Sequence, residues 1–133
     1  MLGDMRALLA TTWLPRLALL GLCAAYIQGG LNKLLDFNGA VAEAAHFGLP
    51  LPAATAALTI LLELGASGLV LSGRYRAAGA LALAGFTLAA TFIANRFWTL
   101  PAGHERFMTA NGFFEHLGLV GGFLLVAWRD ATR

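Results

Sequence analysis

Glu63 stands inside the apolar run 51–71, and Thr55, Thr59, Glu63 and Ser67 recur every fourth residue, so the four share one helix face. As a helix, a run of that length covers roughly 30 Å, the thickness of a hydrocarbon core, and puts Glu63 within about 3 Å of its middle. A carboxylate at that depth costs about 2.5 to 3.5 kcal/mol on insertion scales, so it must face protein, water or a counter-charge and not lipid. Two further ionisable residues, Glu115 and His116, fall in the apolar run 107–128 at nearly the same level, roughly 2 to 4 Å outside the midplane. Two carboxylates and an imidazole at one depth cannot all be charged cheaply. Either a cation, Lys33 or Arg96, reaches in, or a carboxylate holds a proton. Groups of this kind suit proton-coupled chemistry, with Glu63, Glu115 and His116 as the candidate catalytic residues.

The remaining polar residues of the apolar runs supply candidate ligand contacts: Gln28, Asn32 and Lys33 at the end of the first run, Thr59 beside Glu63, and Thr91, Asn95, Arg96 and Trp98 at the end of the third. All lie at the midplane or in one half of the membrane, so the simplest arrangement is a cavity that opens toward the outer side. The amides and hydroxyls among them also serve as hydrogen bonds between helices, and Lys33 has the alternative of reaching up to the headgroups. Other chemistries find no support. A bis-histidine haem needs two histidines inside spans, and only His116 is well inside one. The polar set lacks the Cys and His ligands of a zinc site, so no metal is expected. No glycine-rich phosphate loop or nucleophile elbow occurs.

The elements that must carry these residues follow from composition. Of 133 residues, 59% are hydrophobic and 12% charged, and the mean hydropathy is +0.72, values that belong to a membrane protein. The expected fold is an all-α bundle of four transmembrane helices, at about 15–35, 52–71, 76–98 and 107–128. A short interfacial helix is expected at about 39–47, closed by Gly48 and followed by Pro50 and Pro52. Four spans leave room for one domain, 1–133, and for no soluble catalytic module. The apolar stretch after Pro15 is too long for a signal-peptide core, so it is expected to stay as the first span. In that span Gly21, Ala25, Gln28 and Asn32 share a face expected to meet the second span, and Asn111, Glu115, Gly118 and Gly122 form a stripe on the fourth.

Orientation follows from the basic residues. Arg6, Arg16, Arg74, Arg76, Arg129 and Arg133 fall on one side and Lys33, Arg96 and Arg106 on the other, which places both termini in the cytoplasm. The net charge of +2 therefore reflects topology, and no basic cluster reads as a nucleic-acid surface. Cys23 is the one cysteine; it rules out an intrachain disulfide and reads as a small buried hydrophobe.

Five stretches carry a resemblance to a known family: GGLNKLLDF, HFGLPLP, LLELGASGLVLSGRYRAAGALAL, RFWTL and HLGLVGGFLLVAW. Together, over nearly the whole length, the chain resembles the DoxX family of small four-span membrane proteins. Lys33 matches that family's first-span lysine, Glu63 its second-span glutamate and Trp98 the aromatic end of its third span. The chain departs from the family at Glu115 and His116, where the sequence of many relatives looks more like a Lys-Asn pair. The resemblance implies a bacterial cytoplasmic membrane protein associated with redox chemistry, because the family includes a subunit of thiosulfate:quinone oxidoreductase. A quinone is the cofactor class it admits without requiring one. Besides membrane lipids, it implies partner proteins or a homo-oligomer. Similar four-span proteins act as assembly factors, so a scaffold without catalytic activity is the alternative expectation.

Overall fold

The computed structural model describes residues 2–133. A helix α1 (Leu2–Leu9) precedes the first long helix α2 (Trp13–Leu35); then come α3 (Phe37–His46), α4 (Pro52–Ser72), α5 (Arg76–Ala94), a 3-10 turn at Phe97–Thr99 and α6 (His104–Ala131). The chain is an all-α membrane protein in which α2, α4, α5 and α6 are long and apolar enough to span the bilayer, with α3 as the short helix between the first two spans.

Local chemistry sets the boundaries. Pro15 lies in the first turn of α2, where its missing N–H costs nothing, and Pro52 opens α4 in the same way. Asp36 starts α3 by accepting the Gly39 N–H on Oδ1 at 3.1 Å. Gly73, at φ +81°, ends α4 with its N–H on Leu69 O, and Arg76 Nε donates to Val70 O at 2.7 Å, so the carbonyls of the last turn find partners. Across the bundle, Asp130 of α6 accepts the Ala77 N–H at the start of α5 at 3.1 Å.

Two elements differ from expectation. Helix α1 occupies residues that carry no span and no strong periodicity. The third span reaches Thr99, close to the expected 98, but its α-helical part ends at Ala94, because Asn95 leaves helical dihedrals and the chain tightens into the 3-10 turn.

Helix α4 lies between α2 and α5, α5 packs along α6, and α2 meets α6 only narrowly. Close approach depends on glycine. A methyl group on Gly30 would sit 2.7 Å from Leu64 Cδ2, and one on Gly79 would sit 2.8 Å from Ala66 O. The core formed this way, with Cys23, Ala66, Val70, Ala80, Leu83 and Phe123 at its heart, lies toward the end that holds the chain termini and the 72–76 hairpin. We call that the terminal half, and the half toward α3 the distal half.

Candidate functional site at the distal ends of the spans

The helix face of α2 that meets α4 contains Cys23, Gly30 and Lys33, not the expected set of Gly21, Ala25, Gln28 and Asn32, all four of which are exposed. The glycine pair decides the rotation. With Gly29 and Gly30 against α4, the Glu63 carboxylate fits beside the backbone, and a methyl group on Gly29 would lie 3.0 Å from Glu63 Oε2. Lys33, one turn on, then reaches down the same groove.

Lys33 Nζ donates to Glu63 Oε1 at 2.9 Å, with the lysine side chain 23% exposed and the glutamate side chain 6%. The lysine is thus the cation that reaches in. Arg96 is exposed and, among the described residues, makes no ion pair. A lysine ammonium has three N–H donors, and one is engaged by Glu63.

Three cavities meet at Lys33. One of about 280 Å³ is lined by Tyr26, Glu63, Thr87, Asn95 and His116. A second, of about 320 Å³, opens beneath α3 past Glu43, Phe47, Thr59 and Ile93. A third, of about 310 Å³, carries Asn32, Asp36 and Glu43. Volumes of this size suit small molecules. The openings exist because Ala40, Ala44, Ala56, Ala90 and Ala94 line the walls where larger side chains would close them.

The neutral polar residues are tied to one another. Thr87 Oγ1 donates to Leu83 O at 2.7 Å, so the Tyr26 hydroxyl donates to Thr87 Oγ1. Thr91 is fully buried, and its hydroxyl lies 3.3 Å from His116 Nδ1, donor and acceptor depending on the imidazole tautomer. Thr59 donates back to Thr55 O at 2.8 Å within its own helix.

Of the residues singled out from sequence, Lys33, Glu63, Asn95 and His116 line one cavity and Thr91 supports it; Thr59 and Asn32 stand at the two neighbouring ones. Four do not join. Gln28 is exposed outside these cavities, as is Arg96. Trp98 packs in an aromatic cluster with Phe92, Phe97 and Phe113 at centroid distances of 6.1, 5.3 and 5.7 Å. Glu115 is exposed on the outer side of α6. The shared cavity expected for Glu63, Glu115 and His116 therefore contains two of the three. Adjacent helix residues are separated by roughly 100° of rotation, so His116 and Glu115 cannot both face the bundle. Phe113, His116, Val120, Phe123 and Ala127 make the inward stripe of α6, and Asn111, Glu115 and Gly118 turn away.

Sequence reasoning missed Tyr26, Thr87 and Glu43 as parts of this region. Tyr26 and Thr87 gave a signal, being polar groups near the middle of apolar spans. Glu43 sat on the polar side of an interfacial helix, where position alone assigned it to water.

The chain is 26% identical over 102 residues to the inner membrane protein YphA of Escherichia coli (strain K12), an alignment that covers 77% of this chain and 72% of the relative. No solved structure matches it significantly. A family model described as DoxX matches residues 15–96, which takes in α2 through α5 with both Lys33 and Glu63, and stops short of α6. The matched part is narrower than the resemblance suggested, but it spans well over half of the chain, which belongs to the DoxX family.

Proposed function

We propose that this protein is a redox-associated membrane subunit that offers the cavities around Lys33 to a quinone or another small carbonyl-bearing molecule. The observation that carries the reading is the Lys33–Glu63 pair: a buried carboxylate at mid-membrane depth, held at 2.9 Å by an ammonium whose other N–H donors have no hydrogen-bond partner among the described residues and can meet a ligand carbonyl. His116 and Tyr26 line the same cavity and supply further groups able to carry or donate a proton. The chain would contribute binding and protons, while a partner protein supplies the electrons.

The arginine excess on the terminal side, together with the description of the relative as an inner membrane protein, supports a bacterial cytoplasmic membrane with both chain ends in the cytoplasm. The cavities then open toward the opposite face.

A second reading, that of an assembly or scaffold protein, rests on Glu115. An exposed carboxylate on a membrane helix calls for a partner that shields it, whether another protein or a second copy.

Extraction into native-lipid discs, followed by chromatographic analysis of bound quinone and identification of co-purified proteins, separates the two. The redox reading expects quinone at a fixed ratio to the chain, reduced when Lys33 is replaced by Met. Quinone at bulk-lipid levels in both forms contradicts it, and a stoichiometric partner lost on Glu115→Leu then favours the scaffold.

A further inference from the structure

At the opposite end of the bundle, the narrow contact between α2 and α6 opens into a cleft of about 420 Å³. Its walls are apolar, with Ala18 and Leu22 on α2 and Leu125 and Val126 on α6, and its mouth is ringed by Arg76, Arg129 and Arg133. We propose that this cleft seats one anionic phospholipid, with the phosphate among the three arginines and an acyl chain along the seam.

The charge arithmetic favours an anion. The one acidic lining residue, Asp130, is already engaged on both oxygens: Oδ2 accepts the Ala77 N–H at 3.1 Å and Oδ1 accepts Arg133 Nη2 at 3.0 Å. Three arginines against one aspartate leave a formal charge of +2 at the mouth. Arg76 uses Nε on Val70 O and keeps its terminal nitrogens, and Arg129 makes no ion pair among the described residues. Guanidinium groups bind phosphate through paired N–H donors.

Depth favours a lipid over a free anion. Arg129 and Arg133 lie at the last turn of α6 or beyond, Arg76 at the first turn of α5, and Pro15 of the cleft at the first turn of α2, so the cationic ring sits where headgroups sit. Below it the cleft continues into the hydrocarbon layer, where the available occupant is an acyl chain. Gly122 meets Leu22 here, its added methyl group falling 3.1 Å from Leu22 Cδ1, and on the terminal side of this contact the cleft separates the two helices. Basic pockets between spans on this side of a membrane are places where anionic lipid headgroups bind.

The test uses the full chain in detergent, with native mass spectrometry reading lipid occupancy. Dioleoyl phosphatidylglycerol is the probe, dioleoyl phosphatidylcholine the zwitterionic control of zero net charge, and glycerol 3-phosphate the control without chains. The proposal expects about one phosphatidylglycerol retained per chain and weaker retention of phosphatidylcholine. Arg129→Gln with Arg133→Gln should weaken retention roughly tenfold or more, as loss of two headgroup-level cations implies. Arg6→Gln with Arg74→Gln removes the same charge on the same side but away from the cleft, and should change retention by less than about twofold. Arg129→Gln alone, which spares the Asp130 pair, should give an intermediate loss and guards against misfolding of the double variant. Equal retention of the two lipids, equal loss in the two double variants, or displacement by glycerol 3-phosphate each overturns it.

Discussion

The two halves of the bundle use the same four helices for opposite ends. In the terminal half, Cys23, Val70, Leu83 and Phe123 are fully buried in one core, with Tyr26 and Phe123 edge to face at a 5.4 Å centroid distance, and the spans part at the cleft between α2 and α6. In the distal half alanines and ionisable side chains recur among the lining residues, and three cavities surround one lysine. The contrast has a physical source. Acyl chains are as apolar as leucine, so helices in a membrane are held by close packing and hydrogen bonds, and a bundle that is packed at one end can be open at the other. The closed half fixes the spacing of the helices; the open half places Lys33, Glu63 and His116 around shared space.

The largest effect should come from breaking the ion pair. Replacing Lys33 by Met leaves the Glu63 carboxylate buried without its cation, which should destabilise the fold by about 3 kcal/mol, at the low end for buried pairs because the lysine is partly exposed. Adding Glu63→Leu to the same chain should restore most of that loss. Unfolding in mixed micelles measures both. A double variant as unstable as Lys33→Met would mean that the stability depends on packing by the lysine stem and not on charge.

A smaller effect is expected in the closed half. Phe123→Ala removes a fully buried ring and its contact with Tyr26, and should cost about 2 kcal/mol, less than in a water-soluble core because the exposed reference is lipid. It should leave ligand binding in the distal half unchanged when assayed below its melting temperature. Loss of binding at full folding would show that the two halves are not separable.

How much of this was legible in the sequence depends on what periodicity can say. The four spans, the helix between the first two and the depth of Glu63 follow from run length and proline and glycine punctuation, all of which act locally. Periodicity also states which residues share a face, but not which face looks inward. In α2 periodicity offers a face with Gln28 and Asn32 and another with Gly29, Gly30 and Lys33, and the glycine face meets α4 because it leaves room for the Glu63 and Leu64 side chains. The same ambiguity separated Glu115 from His116. Bulky Phe113 and Phe123 fill the interior of α6, and His116 follows them by spacing. Such choices belong to tertiary packing, and no stretch of one helix contains them.

The smallest change with the greatest bearing on function is Glu63→Gln. The amide keeps the size of the side chain and an acceptor for Lys33, so the fold should be nearly as stable as the parent, but it exchanges no proton. The most direct test of the account is ligand binding and turnover by this variant in the reconstituted complex across the neutral pH range, beside Glu63→Leu. If Glu63 exchanges protons, the Gln variant folds and keeps its partners yet loses turnover, or loses its pH dependence. Parental activity and pH dependence in Glu63→Gln, with a defect confined to Glu63→Leu, would contradict it and leave the Lys33–Glu63 pair as a structural tie between α2 and α4.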